Sequence, residues 1–197
     1  MATTRPRAYQ IRAALRGFRS PIWRRLEIPA DLSLEELHTT LQVAFGWLNS
    51  CLFEFKIDGE TYGLTDEESD ARELSPESVL FTTKVGDVLH KSARATYAYD
   101  MTDYWVLDIE VEREIPAREA KPYAVCTGGE REAPREGSGG VEGFKQEQRS
   151  VVRFAKAHDL APDPDVLDLE FVNSKLAAFD VTSFARGVGI AAWPALP

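Results

Sequence analysis

The chain contains little cysteine, little histidine and no long hydrophobic run. Among its 197 residues are two cysteines, Cys51 and Cys126, and three histidines. The cysteines lie far apart in sequence and show no metal-ligand spacing, so the natural interpretation is a reduced, cytoplasmic protein. No apolar run approaches the roughly 18 residues that a membrane helix needs, which excludes an ordinary transmembrane segment.

The length and a hydrophobic content of 44% predict one compact domain over residues 1–197. A chain of this size can bury roughly two-thirds of its unfolded surface without disulfides or metal. We expect the core to span about residues 8–180 and residues 181–197 to form a loose tail. The start of the chain is rich in arginine and free of acid, as in a transit peptide, but apolar alternation over residues 9–15 favours a strand.

The net charge of −9 is distributed unevenly along the chain. Residues 1–25 carry +7 and no acid, so the rest of the chain carries −16. The seven arginines are Arg5, Arg7, Arg12, Arg16, Arg19, Arg24 and Arg25. One interpretation pairs them with the protein's own carboxylates in a sheet, and the other makes them a basic strip for nucleic acid. An acidic protein repels phosphate at long range, which weakens the second interpretation.

Two pairs of segments predict antiparallel hairpins. Residues 9–15 and 22–28 alternate between apolar and polar side chains, with a turn between them. Residues 95–99 and 105–111 alternate in the same way. Because alternating strands have one apolar face to bury, we expect both hairpins in one sheet with a helix packed on that face.

The best-signalled helix begins at Ser33, which forms a capping box with Glu36. Apolar residues then follow at helical spacing: Leu34, Leu37, Leu41, Ala44, Phe45 and Leu48. This pattern predicts a helix over residues 33–47. A short helical turn is expected at residues 85–90.

Other segments complete the predicted fold. Residues 52–57 and 61–64 are expected to form strands joined by an Asp-Gly turn. The stretch 126–143 is crowded with glycine and proline and predicts an irregular loop, followed by helices at about 141–157 and 165–179. The fold class is therefore α+β, a mostly antiparallel sheet built from hairpins with helices packed on it.

Four residues are candidates for catalysis or cation binding. Asp100 and Asp103 share a hairpin turn, where paired carboxylates can bind a cation or exchange protons, with Glu136 as a further ligand. Aspartates in turns also accept hydrogen bonds from backbone N–H groups, which is the structural alternative. His38 is either a base or a hydrogen-bonded histidine at the margin of the core.

Arg24 and Arg25 are candidate binding residues on opposite faces of one strand. Arg24 shares its face with apolar neighbours, so we expect it to be buried and bonded to carboxylates or carbonyls, with Asp100 or Asp103 as the best-placed partners. Arg25 is expected to be a more exposed contact.

Trp47 and Trp105 are candidate stacking surfaces for a partner, although most such aromatics fill cores. The glycine-rich stretch 127–143 lacks the Gly-Lys-Ser/Thr ending of a phosphate-binding loop. Cys51 is expected to be a small buried apolar residue rather than a nucleophile. The sequence predicts no cofactor and no metal site.

Several short motifs occur in a distinctive order: PIWRR at 21–25, FGW at 45–47, YAYD at 97–100 and DLEFVN at 168–173. Through them the chain resembles the plasmid pRiA4b ORF-three-like family, also labelled TnpR-type passenger proteins, over about residues 8–180. The resemblance implies an α+β domain carried on bacterial and archaeal chromosomes, plasmids and mobile elements, without an established activity.

The chain departs from the family pattern at four positions. The family usually has histidine at the positions of Cys51, Phe53 and Leu107, and a carboxylate at that of Gly137. If these family positions form a metal or acid–base site, this chain has lost most of it. The resemblance therefore implies that no transition metal binds stoichiometrically.

Two functional interpretations follow. The leading one is a non-enzymatic accessory or interaction domain of mobile-element or plasmid-type origin that binds another protein or, as a weaker option, nucleic acid. The alternative is a divergent hydrolytic or metal-dependent enzyme whose site lies among Arg24, His38, Asp100, Asp103 and Glu136. An enzyme needs those side chains around one cleft, whereas a binding module needs an exposed patch.

Overall fold

The computed structural model describes residues 7–63, 79–90, 94–118, 124–158 and 166–178, and within them seven strands form one antiparallel sheet. The strands are β1 (Arg7–Leu15), β2 (Trp23–Pro29), β3 (Phe53–Ile57), β4 (Glu60–Gly63), β5 (Ala95–Tyr99), β6 (Trp105–Pro116) and β7 (Val125–Glu130). Their order is β4-β3-β5-β6-β1-β2-β7. Both predicted hairpins are present and meet where β1 pairs with β6, so the expected single sheet and the α+β class are confirmed.

The alternation in the sequence separates the two faces of this sheet. Ile11 pairs with Leu26 on one side and Val111 on the other, and all three side chains are buried. Their polar neighbours, such as Arg12 and Arg25, point to the opposite face because successive side chains in a strand alternate. One face is therefore the core and the other is charged.

Five helices are described: α1 (Leu34–Phe45), α2 (Val79–Thr82), α3 (Val85–Val88), α4 (Gly140–Ala157) and α5 (Leu169–Ala178). Helix α1 packs on the core face of the sheet and is covered from outside by α2 and α5. Every residue of α1 except Glu36 is buried, since both of its sides are packed. Helix α3 matches the predicted helical turn, and the α2 turn had no clear signal in the sequence.

The ends of α1 follow the local chemistry of the sequence. The Ser33 hydroxyl accepts a hydrogen bond from Glu36 N at 3.1 Å, and the Glu36 carboxylate accepts one from Ser33 N at 2.6 Å. Gly46 ends the helix in the left-handed region with φ 71°. The capping box is confirmed, but the helix ends before Leu48, which therefore lies outside the predicted apolar stripe.

The predicted irregular loop at 126–143 is wrong in its first part, where β7 adds an edge strand to β2. Gly128 and Gly129 suggested a loop because glycine weakens strands. Here glycine is needed for close packing, since a Cβ on Gly129 would lie 2.7 Å from Trp23 O. The glycine that discouraged a strand assignment is what allows the strand to approach β2.

The predicted C-terminal tail at 181–197 lies outside the described residues. In the part of the chain that is described, no helix combines the length and apolar character needed to cross a lipid bilayer.

Candidate functional site

Three loops meet at one end of the sheet, which we call the loop end: residues 46–52, 100–104 and 131–139. Hydrogen bonds join them: Asp100 N to Leu52 O at 3.0 Å, Leu48 N to Glu136 Oε1 at 2.7 Å, and Gly139 N to Asp103 Oδ2 at 3.2 Å. Six of the eight candidate residues lie at or beneath these loops: His38, Trp47, Asp100, Asp103, Trp105 and Glu136. The other two, Arg24 and Arg25, lie on β2.

A closed ring of four hydrogen bonds lies beneath the loop end. Asn49 N donates to Gln42 Oε1 at 2.9 Å, and Gln42 Nε2 donates to the Tyr97 hydroxyl at 2.8 Å. That hydroxyl lies 2.7 Å from His38 Nδ1, and His38 Nε2 lies 2.6 Å from Asn49 Oδ1, which returns to the start. Because the ring holds both the main chain and the side chain of Asn49, it fixes that residue in the left-handed conformation, with φ 56°.

The ring determines the state of His38. Asn49 Oδ1 can only accept, so His38 Nε2 carries the proton and Nδ1 accepts from the Tyr97 hydroxyl. The imidazole also stacks on the Phe53 ring with centroids 3.6 Å apart. Burial lowers the His38 pKa to about 3, and the bond to Asn49 only partly opposes this. His38 is therefore a neutral structural histidine at physiological pH.

Glu136 holds the loop 46–52 from the outside. Its carboxylate accepts hydrogen bonds from Leu48 N at 2.7 Å, Ser50 Oγ at 2.9 Å and the Tyr99 hydroxyl at 2.5 Å. The same hydroxyl accepts from Ser50 N at 2.9 Å and Cys51 N at 3.3 Å. Together with the bond from Asn49 N, these contacts give a partner to each backbone N–H from residue 48 to 51, so the loop is preorganised.

Neither Tyr99 nor Cys51 is activated. Burial raises the pKa of the Tyr99 phenol, and the bond that it donates to Glu136 raises it further. Burial is also the main reason why the pKa of the Cys51 thiol is raised. Cys51 is partly exposed rather than buried, and a protonated thiol is a weak nucleophile.

We expect Glu136→Ala to lower the free energy of unfolding by about 2–3 kcal/mol, because it removes a charged acceptor shared by three donors. Hydrogen exchange at Leu48, Ser50 and Cys51 should accelerate as the loop loosens. The matched control is Glu132→Ala in the same loop, where an exposed side chain should change stability by less than about 0.5 kcal/mol. Urea unfolding with equal losses in both variants would contradict the role assigned to Glu136.

Asp100 and Asp103 bind backbone groups. Asp100 Oδ1 accepts from Thr102 N at 3.0 Å and Asp103 N at 3.3 Å, and Asp103 Oδ2 accepts from Gly139 N. Asp100 has φ 56°, a conformation that aspartate tolerates in turns. These contacts correspond to the structural alternative stated for the pair.

Trp47 and Trp105 are both buried, so neither offers a stacking surface in this conformation. Trp47 Nε1 donates to Pro134 O at 2.9 Å, and its ring stacks on Tyr99 with centroids 5.2 Å apart. Trp105 pairs with Tyr99 across β5 and β6, and within the described residues its indole N–H has no hydrogen-bond partner.

The loop end carries an exposed apolar surface that was not predicted from the sequence. Its members are Leu48, Leu52, Met101 and Tyr104, which we call the apolar rim, and they are 44–50% exposed. They come from two loops joined by the Asp100–Leu52 hydrogen bond. The sequence feature that could have indicated this surface is Gly46, because it ends α1 before Leu48 and leaves that leucine outside the core.

The backbone around the apolar rim is held in unusual conformations. Asn49, Asp100 and Tyr104 all have left-handed φ values between 54° and 56°. Such values cost free energy in residues other than glycine and cluster at functional sites. The surrounding hydrogen bonds therefore maintain a specific arrangement of the rim.

Arg24 is 2% exposed and bonds main-chain carbonyls rather than the expected Asp100 or Asp103. The acceptors are Ala44 O at 2.8 Å, Trp23 O at 2.9 Å, Glu130 O at 3.3 Å and Arg131 O at 2.8 Å. Arg24 thus joins the C-terminal end of α1 to β2 and the end of β7, and a cation is favourable at a helix C-terminus.

The arginine-rich start forms ion pairs across the charged face of the sheet. Arg25 makes a two-pronged contact with Glu112, at 2.6 and 2.8 Å. Two further pairs are Arg16 with Asp108 and Arg7 with Glu114. This is the pairing that the first interpretation of the +7 segment predicts.

Of the three positions at which the resemblance implies family histidines, one contacts His38 and the other two contact the tyrosines beside it. Phe53 stacks on it, Leu107 pairs with Tyr97 across β5 and β6, and Cys51 N bonds the Tyr99 hydroxyl. Within the described ranges, no three His, Cys, Asp or Glu side chains are grouped as metal ligands. Apolar packing occupies the region where such a site would lie.

Comparisons with known proteins identify relatives. The family described as plasmid pRiA4b ORF-3-like protein matches residues 7–184. An uncharacterised protein, y4hQ, of Sinorhizobium fredii is 35% identical over 127 residues, which are 64% of this chain and 63% of that protein, less than two-thirds of its length. The crystal structure of MM3350, a protein of unknown function from Methanosarcina mazei Go1, superposes with a TM-score of 0.69 at 25% identity and covers 85% of this chain and 98% of that one.

Proposed function

The chain belongs to the plasmid pRiA4b ORF-3-like family, and we propose that it is a non-enzymatic accessory domain that binds another protein through the apolar rim. We further propose a mobile-element or plasmid-type origin and a cytoplasmic location. The family's plasmid designation supports the first, and the free thiols of Cys51 and Cys126 are compatible with the second.

The observation that carries the proposal is the exposure of four apolar side chains on two hydrogen-bonded loops of the preorganised loop end. Clustered apolar groups of this kind mark interaction sites more often than scattered ones do. Binding costs conformational entropy at the interface, and loops that are already fixed reduce this cost. The hydrogen bonds of Asn49 and Glu136 therefore favour binding without taking part in it.

The state of the candidate catalytic groups argues against the enzymatic alternative. A general base needs a pKa near the working pH, whereas that of His38 is lowered to about 3. A thiol nucleophile needs a lowered pKa, whereas that of Cys51 is raised. The nucleic-acid option is disfavoured because Arg7, Arg16 and Arg25 are paired with carboxylates.

Site-specific photo-crosslinking in the native host tests this proposal. A photoreactive residue at Tyr104 should give one discrete protein adduct, and Leu52→Ser should abolish it because the rim is interrupted. The matched control places the same residue at Phe154 on α4, which is 59% exposed and lies outside the rim. Adducts of equal yield at both positions, or none at Tyr104, would overturn the proposal.

A further inference from the structure

A second candidate site lies between the β1–β2 turn and the first half of α4. It is a cleft of about 310 Å³ lined by residues 17–20, Arg131 and the side of α4 that carries Phe144 and Arg149. Gly17, with φ 96°, brings the turn against Val141 of α4, where a Cβ would lie 3.0 Å from the valine methyl. The contact fixes one element against the other, so the cleft is built into the fold.

The lining of the cleft is strongly cationic. Arg19, Arg131, Lys145 and Arg149 all line it, and none of the lining residues in the described part of the chain is acidic. Glu142 contacts one of these groups, with its carboxylate 2.8 Å from Lys145 Nζ. Arg131 also donates to Ser20 O at 3.1 Å, which ties its side chain to the turn. Four cations from three separate segments therefore converge in a protein whose net charge is −9.

The cleft also has an aromatic wall. Phe18 and Phe144 meet edge to face, with ring centroids 5.8 Å apart, and Lys145 Nζ lies 5.9 Å from the Phe18 centroid. Phe144 is buried and Phe18 is half-buried, so the wall is held in place. A ligand with an apolar group beside its charge would be complementary to both parts of the cleft.

We propose that this cleft binds a phosphate monoester carried on a small aromatic or apolar group. A dianion matches several converging cations better than a single carboxylate does, and arginine binds phosphate through paired N–H groups. The volume lies at the lower end of the range for small-molecule pockets, about 300–1,000 Å³.

Charge distribution favours a small anion over nucleic acid. The acidic protein repels a polyanion that extends beyond the cleft, because exposed charges act over about 8–10 Å at ordinary ionic strength. A single phosphate group inside the cleft contacts the cations directly and is less affected. Free phosphate esters and phosphorylated protein side chains share this chemistry.

Calorimetric titration of the full chain with phenyl phosphate tests the proposal. We expect binding that weakens with salt and that falls by about tenfold or more in Arg149→Glu, because a cation at the ligand becomes an anion. The matched control is Arg153→Glu, one turn further along α4 and outside the cleft, which should change affinity less than about twofold. Inorganic phosphate should bind more weakly than phenyl phosphate because it does not contact the aromatic wall.

Two further ligands distinguish the source of the phosphate. If a phosphotyrosine peptide binds more tightly than phenyl phosphate, the cleft recognises phosphorylated protein side chains. If the peptide and phenyl phosphate bind with equal affinity, the cleft recognises free phosphate esters. Either result supports the site. No measurable binding of phenyl phosphate, or equal losses in Arg149→Glu and Arg153→Glu, would overturn the proposal. If a single-stranded oligonucleotide binds more tightly than phenyl phosphate and its binding depends on Arg149, the cleft is a nucleic-acid site and the proposal is wrong.

Discussion

Arg24→Ala is expected to destabilise the protein by about 3–5 kcal/mol, and Arg25→Ala by at most about 1 kcal/mol. Arg24 is buried, and its loss leaves main-chain carbonyls at the end of α1 and β7 without this donor. It also removes a cation 5.0 Å from the centre of the Phe45 ring. Buried acceptors that lose their donor keep the full cost of desolvation.

Arg25 is the internal control for this comparison. It is the next residue on the same strand, but its side chain is 34% exposed and its partner Glu112 lies on the charged face. Thermal and urea unfolding of the two variants should give a loss at least about three times larger for Arg24. Equal losses, or a larger loss for Arg25, would show that Arg24 does not hold α1 and β7 to β2.

The second large effect is a dependence of stability on pH. Two buried groups contribute to it in opposite directions. His38 has a folded pKa of about 3 against about 6.5 when unfolded. The unfolded chain therefore takes up a proton first as pH falls. The His38 contribution to stability is complete above pH 6.5 and is lost as pH falls toward 3, by about 5 kcal/mol in total.

Glu35 acts in the other direction. Burial raises its pKa from 4.5 to about 7, and within the described residues its Oε2 has no hydrogen-bond partner. The folded state therefore retains a proton that the unfolded state has released. Its contribution to stability is complete below pH 4.5 and is lost as pH rises to 7, by about 3 kcal/mol.

Between pH 4.5 and 6.5 the two contributions offset each other, so these groups predict a plateau with losses on either side. Glu35→Gln should remove the plateau, because only the His38 slope remains, and should stabilise the protein at pH 8 by about 1–3 kcal/mol. The control Glu147→Gln alters an exposed carboxyl on α4 and should leave the profile unchanged. Denaturant unfolding from pH 3 to 8 that shows the same plateau in Glu35→Gln would contradict the assigned titrations.

Much of the fold followed from local sequence chemistry. Ser33 and Glu36 marked the start of α1, and period-two alternation located both hairpins, because capping and strand faces depend on neighbouring residues. Strand β7 was missed because Gly128 and Gly129 disfavour strands in isolation, and their value lies in close contact with Trp23 of another strand. Local propensity does not contain that information.

The candidate site was predicted in part. His38, Asp100, Asp103 and Glu136 do lie around one end of the sheet, but their partners could not be inferred. The ring through Asn49 depends on a left-handed backbone at that residue and on Tyr97 from a distant strand. The apolar rim consists of exposed side chains, whereas the leucine spacing in the sequence placed Leu48 on the apolar stripe of the predicted helix. Roles that depend on contacts between distant segments were therefore the ones that sequence patterns did not determine.

Affinity for the crosslinked partner, once purified, tests the central claim most directly. Calorimetry should show that Tyr104→Ala weakens binding by about tenfold or more, as expected for an aromatic anchor in an interface. Phe154 is a more exposed aromatic outside the rim, and Phe154→Ala should bind the partner as the unmodified chain does. Full affinity in Tyr104→Ala together with loss in Phe154→Ala would place the interaction on α4 and contradict a role for the apolar rim.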